Sequence, residues 1–420
     1  MELDVCFYFQ VHQPWRLRAY RYAEVGSRHD YFDEEVNARI LRRVTEKCYL
    51  PMNELLAERI RTLGSAFRVS FSITVTALEQ MQAYAPEALA SFRRLVAGGG
   101  VELLTETSHH SLAALYSAPE FAAQVQLHRA VCARLLGVPG NVFRNTELIT
   151  SDAIASRVAA LDFRGICIEG ADRLLRGRSA LRPYRFAAAP GLAALPRYYR
   201  LSDDIAFRFS DRDWQEWPLT ADRFVQWLDA LAQTEAEHSP DNGFLGLFMD
   251  YETFGEHQWA GTGIFEFMRA LPAAVLARPG FRFVTPSEAV ARTPAQTDVL
   301  ELATPVSWAD LERDTTAWNG NRIQQSALQA AFALEPMLLR HQAADPEEGA
   351  KLIEEWRRLL SSDHVYYMST KHWADGDVHK YFSPYESPYD AYITYMNVLA
   401  DLTDRCGGNS RRNPAKPEGA

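Results

Sequence analysis

Cysteine is scarce in this chain. There are five in 420 residues, namely Cys6, Cys48, Cys132, Cys167 and Cys406, scattered, odd in number and without a C-x-x-C pair. The pattern argues against a disulfide framework and suits reduced thiols in a cytosolic protein. Long apolar runs are missing too, so no stretch approaches the length of a membrane span. The N-terminal residues Met1–Cys6 carry no cationic, cleavage-type segment. The expected location is therefore the cytoplasm, with no membrane partner. Excess positive charge is absent: 44 Lys and Arg stand against 54 Asp and Glu, a net charge of −10. Without a basic stripe a nucleic-acid partner is not expected, and the acidic balance disfavours a polyanionic substrate. No G-x-G-x-x-G follows a strand, so the dinucleotide signature is missing. His12, His109, His110 and His257 form neither H-E-x-x-H nor a tight H-x-H, which ranks a zinc site low. No cofactor and no metal are expected.

What is present is a globular composition, 47% hydrophobic and 23% charged, on a chain long enough for a barrel of about 250 residues plus appended elements. Leu3–Gln10, Arg68–Thr76, Val101–Thr105, Val142–Thr146, Gly165–Glu169, Phe244–Asp250 and Phe281–Val284 read as strands. Helical patterns lie between them, at Asp33–Ile60 (interrupted at Pro51), Leu78–Ala97, Ala118–Leu136, Asp152–Leu161, Phe224–Leu231 and Gly263–Leu276. Thr285-Pro-Ser-Glu288 opens a further helix with proline in its first turn. Ala171–Trp217, rich in Pro and Arg, yields one expected strand, Ile205–Ser210. The alternation implies parallel strands with crossover helices, in a barrel or a doubly wound sheet. Beyond Thr293 helical patterns dominate, and Gly407–Ala420 reads as a disordered tail. The expected division is 1–293 for the α/β unit, 294–406 for a helical region contributing to the active-site cleft, and 407–420 for the tail.

Two strings concentrate the chemistry: Phe143-Arg-Asn-Thr-Glu-Leu-Ile149 and Leu247-Phe-Met-Asp-Tyr-Glu-Thr-Phe-Gly-Glu-His257. Each brings a carboxylate, Glu147 or Asp250, to the end of a short apolar run. A carboxylate there is costly to desolvate and so has a partner or a task. In a parallel barrel all strand C-termini share one face, where separated residues converge. Two facing carboxylates are the minimum equipment for cleaving a glycosidic bond. Arg144 beside Glu147 would keep it ionised, as a nucleophile requires. The apolar approach to Asp250 and its acidic neighbours would suit a general acid. The plainer readings are a buried Arg–Glu pair at 147 and a helix cap at 250. His12-Gln-Pro-Trp15 offers imidazole and amide for sugar hydroxyls and an indole for a pyranose face. Trp259, Trp308 and Trp318 are further platforms, although core packing is the commoner fate of a tryptophan.

At these residues the chain resembles glycoside hydrolase family 57, above all its α-amylase-type branch. Five motifs match in order: Phe9-Gln-Val-His-Gln-Pro14; Gly100-Val-Glu-Leu-Leu104 with His110 downstream; Phe143–Ile149; Met249–His257; and Ser307-Trp-Ala-Asp-Leu-Glu-Arg-Asp-Thr-Thr-Ala-Trp318. The stretch Tyr366–Asn397, with Asp375-Gly-Asp-Val-His-Lys-Tyr-Phe382, is similar to that branch as well. The resemblance implies an α/β fold, an incomplete parallel (β/α)7 barrel with an α-helical C-terminal region. It implies a retaining, metal-free mechanism on α-1,4-glucans or maltooligosaccharides, with Glu147 as nucleophile and Asp250 as acid/base. His12, Glu102, His110, Glu252 and Trp318 fall at sugar-binding positions. Gln13, Trp15, Arg144, His257, Trp308 and Asp314, in or beside the same motifs, complete the expected binding set. A 4-α-glucanotransferase or branching enzyme would use the same covalent step. A metal-dependent deacetylase or mannosidase and a non-catalytic amylase-like glucan-binding protein are the more distant alternatives.

Overall fold

The computed structural model describes residues 2–238, 243–371 and 383–408. Among them, seven strands run parallel: β1 (Leu3–Val11), β2 (Val69–Ile73), β3 (Val101–Leu103), β4 (Val142–Arg144), β5 (Gly165–Glu169), β7 (Ala189–Arg197) and β8 (Gly243–Asp250). They neighbour one another in that order, and β8 returns to β1 along Leu3–Gln10. The ring is incomplete at two joints. A single bridge, Thr105 to Phe143, links β3 to β4, and Arg197 to Gly246 is the only registered pair between β7 and β8. Three short strands lie off the ring. β6 (Tyr184–Phe186) runs antiparallel to β7, β9 (Phe281–Phe283) pairs with the start of β1, and β10 (Val299–Leu300) pairs with β6. The expected α/β barrel architecture is thus present.

The two-residue period of each strand sorts its side chains. From β1, Phe7, Phe9 and Val11 pack outward with Leu56, Leu78, Phe92 and Leu271 of the surrounding helices. Cys6 and Tyr8 point the other way and join Val142, Cys167, Leu195, Phe244 and Phe248 inside the ring. Burying each such leucine or phenylalanine contributes roughly 1.5–3 kcal/mol, so the outer layer carries much of the stability. The inner layer turns polar towards the C-terminal ends of the strands, where Gln10, Ser72, Arg144, Glu169 and Arg197 are all buried.

Helix boundaries follow the local signals. Thr285 caps Pro286–Arg292 in a reciprocal box with Glu288, and Gly98 ends Pro86–Ala97. Two expectations fail in Ala171–Trp217. The segment Ile205–Ser210 is not a strand: the helix Tyr199–Asp203 continues through a wider turn to Arg208. Ile205 and Phe209 are buried while Phe207 is 63% exposed, a four-residue spacing that belongs to a helix. The region supplies β6 and β7 instead, and Pro190, Gly191 and Pro196 lower the apparent strand propensity of β7.

The chain divides into two compact units. The first compact unit comprises Met1–Gln13, Ala38–Ser108 and Ala118–Thr315; the second comprises Pro14–Asn37, His109–Ser117 and Thr316–Ala420. The second unit has its own core, in which Leu338, Leu352, Trp356 and Leu402 of successive helices surround Tyr31. Asp401 accepts hydrogen bonds there from Gly26 N (2.5 Å) and Tyr31 Oη (2.5 Å). The Asp375–Phe382 motif and most of the expected tail lie outside the described residues. Among the described residues no helix is long and apolar enough to cross a membrane.

The β7/β8 joint makes a stability prediction. A methyl group on Gly246 would sit 2.4 Å from the Pro196 carbonyl oxygen and 2.9 Å from the Phe248 ring. Gly246→Ala should therefore cost about 1–3 kcal/mol in urea unfolding. Gly191→Ala, on the neighbouring strand with open space around it, should leave stability within about 0.5 kcal/mol.

Candidate active site

Arg144, at the end of β4, is fully buried, and one guanidinium nitrogen lies 3.9 Å from the buried Glu106 carboxylate. Burial alone would lower its pKa. The neighbouring Tyr8, Glu106, Glu147 and Asp250 outweigh that and hold it above its usual value. One cation thus bears on three carboxylates. Beneath it lies a hydrogen-bonded floor. Gln10 Nε2 donates to Glu106 (3.0 Å), while Gln10 Oε1 accepts from Tyr8 Oη (2.7 Å) and Ser72 Oγ (2.9 Å). A buried polar network of this kind is stabilising only when its members are satisfied together.

Glu147 stands above this floor, half-buried, in a tight turn over Thr146–Leu148. Its φ is +56° and that of Leu148 +52°. Left-handed backbone at a non-glycine residue costs about 1–3 kcal/mol and persists only where neighbours over-determine it. They do so here. Asn145 Nδ2 donates to Ile149 O (2.8 Å), Thr150 and Val306 exchange backbone hydrogen bonds, and Trp308 N donates to Glu147 O (3.2 Å). The Trp308 indole N–H then donates to Glu147 Oε2 at 2.6 Å. The Arg144 and Arg197 guanidinium carbons lie 4.8 and 5.6 Å from the indole centroid.

Asp250 ends β8, opposite Gln10 in register, and is half-buried. Its neighbour Glu252 is buried and accepts from Tyr49 Oη at 2.5 Å and from the Gln13 side chain. Burial first, then the Asp250 charge, pushes the Glu252 pKa up to about 8. Glu252 therefore holds a proton at neutral pH, which spares Asp250 an adjacent negative charge. His257 N donates to Glu252 O (2.9 Å), and burial lowers its imidazole to about 4, leaving it neutral. His12 Nδ1 lies 3.0 Å from Thr74 Oγ1, which fixes the ring's orientation.

The sequence-derived set is thus divided. Glu147, Asp250, Arg144, Glu252, Gln13, His12, His257 and Trp308 all lie in the first unit, all but His257 and Trp308 on or just beyond strand ends. Asp314 belongs to the same loop as Trp308, and its carbonyl accepts from Ser307 Oγ (2.5 Å). Glu102 is directed elsewhere: its oxygens accept from Ser287 N (3.0 Å) and Oγ (2.5 Å), capping the helix Pro286–Arg292. Trp15, His110 and Trp318 belong to the second unit. Trp15 and Trp318 are core residues there: Trp15 is buried beneath the Arg358 guanidinium, Trp318 packs near Tyr366, and the His110 carbonyl accepts from Ser362 N. The binding set had left out Glu106, Gln10, Tyr8, Tyr49, Glu169 and Arg197. Glu169 and Gln10 close readable strands. Arg197 ends the strand that proline and glycine disguised. Among the described residues no three or more His, Cys, Asp or Glu side chains are grouped to share a metal ion.

The Glu252 proton has a measurable consequence. Between about pH 4.5 and 8 the folded chain retains a proton that the unfolded chain releases, so this group's contribution makes stability fall as pH rises through that window. Glu252→Gln should flatten the fall between pH 5 and 8.5, by on the order of a few kcal/mol in denaturant titrations at each pH.

Comparison with known proteins places the chain. The model of glycosyl hydrolase family 57 matches residues 6–302. A protein of Methanocaldococcus jannaschii named "Putative alpha-amylase" is 38% identical over 408 residues, covering 95% of this chain and 84% of its own. A branching enzyme from Pyrococcus horikoshii superposes with a TM-score of 0.67 at 16% identity, over 87% of this chain and 85% of its own. An α-amylase from Thermotoga maritima does so with a TM-score of 0.66 at 13% identity, over 96% and 93%.

Proposed function

The chain belongs to glycosyl hydrolase family 57, and we propose that it hydrolyses α-1,4-glucans by an α-amylase-type, retaining mechanism. The observation that carries this reading is the placement of Glu147 and Asp250, each just at or beyond a strand end and each bearing on one buried guanidinium, Arg144, with Glu147 Oε2 held by the Trp308 indole N–H at 2.6 Å. They come from strands far apart in sequence, yet both bear on the same charge at the C-terminal edge of the sheet.

Glu147 is the nucleophile. The Trp308 N–H and the Arg144 charge stabilise its ionised form, and the turn holds the carboxylate outward. Asp250 is the acid/base. It protonates the glycosidic oxygen as Glu147 attacks the anomeric carbon, which breaks the C–O bond and forms a glucosyl ester on Glu147. Asp250 then takes a proton from water, which attacks the same carbon and releases Glu147 as carboxylate. His257 and Gln13 offer neutral hydrogen-bonding groups for sugar hydroxyls, and His12 a further imidazole. The same ester could pass to another sugar hydroxyl; the identity to the amylase-named relative supports water as the acceptor.

Glu147→Gln should reduce turnover of maltoheptaose by about 10³-fold or more, with the protein still folded by circular dichroism. Chain-length analysis of the parent's products should show only oligosaccharides shorter than seven units. Longer products would mean transfer, and unimpaired turnover in Glu147→Gln would contradict the assignment of the nucleophile.

A further inference from the structure

The loop that carries Trp308 is closed by charge. It spans Ser307–Asp314 without helix or strand, and Asp310 and Arg313 both have positive φ. Arg313 closes it at both ends: its carbonyl accepts from Ser307 N (2.9 Å) and its Nη1 donates to Trp308 O (2.5 Å). Its Nη2 donates to Asp203 Oδ2 at 2.9 Å. Asp203 Oδ1 in turn accepts from Arg197 Nη2 (2.5 Å), Arg197 Nη1 donates to Glu169 Oε2 (3.2 Å), and Arg197 Nε donates to Phe248 O (2.8 Å). Two guanidiniums and two carboxylates thus tie the loop to β5, β7 and β8.

Stability alone does not call for this arrangement. Buried ion pairs are often replaceable by apolar side chains at no loss, because desolvation offsets the Coulombic gain. What a fork of charged hydrogen bonds supplies is direction. Here the direction ends on one atom: the seated indole donates to Glu147 Oε2, and Arg197 lies 5.6 Å from the indole centroid. We propose that Arg313 and Asp203 are positioning residues, which seat the Trp308 loop so that the indole N–H fixes the Glu147 carboxylate for attack. The inference rests on the reading of Glu147 as nucleophile. Neither Arg313 nor Asp203 touches the reacting atoms in this account. Their loss therefore impairs the chemical step more than substrate binding.

The test is steady-state kinetics on maltoheptaose for Arg313→Gln, Arg313→Lys, Asp203→Asn, the double variant Asp203→Asn/Arg313→Gln, Trp308→Phe and Glu147→Gln. Arg313→Gln and Asp203→Asn should each lower kcat about 10- to 100-fold with KM within about threefold, matching Trp308→Phe. The loss in the double variant should fall well short of the product of the single losses, since both residues act on the seating of one loop. Arg313→Lys, which keeps the charge without the fork, should fall between parent and Arg313→Gln and serves if Arg313→Gln does not fold. Turnover lost in Glu147→Gln but kcat unchanged in the Arg313 and Asp203 variants, or losses that multiply in the double variant, would overturn this inference alone. Turnover surviving in Glu147→Gln would overturn it together with the proposed function.

Discussion

Everything around the site depends on the burial of one guanidinium. Arg144 is wholly enclosed at the end of β4, and its charge is balanced by Glu106 below and by Glu147 and Asp250 at the strand ends. Removing one partner of such a cluster typically costs about 3–5 kcal/mol, because an uncompensated charge is left behind. The surrounding residues follow from that constraint. Glu106 needs Gln10, Gln10 needs Tyr8 and Ser72, and the inner face of β2 accordingly carries small polar groups where its outer face carries Phe71 and Ile73. Glu252 would add a fourth negative charge beside Asp250, and burial keeps it protonated instead.

The same economy explains the strained turn at Glu147. The carboxylate proposed as nucleophile has to face substrate while remaining close to its counter-ion. The left-handed residues at 147 and 148 achieve this by turning the chain immediately after the strand. Backbone bonds from 145, 150 and 308 hold the turn, and the Trp308 indole holds the side chain. The incomplete ring supplies the frame. Its weakest joints, β3/β4 and β7/β8, lie beside Arg144 and Arg197: the Arg144–Glu106 pair reinforces the first, and Arg197 Nε donates to Phe248 O (2.8 Å) across the second.

Much of the fold was legible because burial enforces period. β1, β2, β5 and β8 are apolar or alternating, and β5 and β8 end on Glu169 and Asp250, so strand, direction and site edge could be read together. Proline at 286 and the glycines at 98–100 marked helix boundaries through backbone geometry alone. β7 was hidden, since Pro190, Gly191 and a run of alanines resemble a loop until neighbouring strands supply the hydrogen bonds. Ile205–Ser210 misled in the opposite sense: Phe207 completes an alternating pattern only if its exposure is ignored. Of the site, the two carboxylates and Arg144 were visible because ionisable groups seldom end buried strands without partners. Glu102 resembled them, yet its carboxylate serves a helix terminus. Glu106, Tyr49 and Arg197 matter through distances that sequence spacing does not encode, and the second unit gathers segments 14–37 and 109–117 that no linker signal separates.

The most direct test of the paired-carboxylate account is the anomeric configuration of the first product. Retention requires carboxyl groups about 5–5.5 Å apart and a covalent intermediate, whereas inversion requires about 6.5–9.5 Å and room for water. Proton NMR of maltooligosaccharide digestion, recorded before mutarotation, should show the newly formed reducing end as the α-anomer. A β-anomer at the earliest times would contradict Glu147 and Asp250 as nucleophile and acid/base around Arg144.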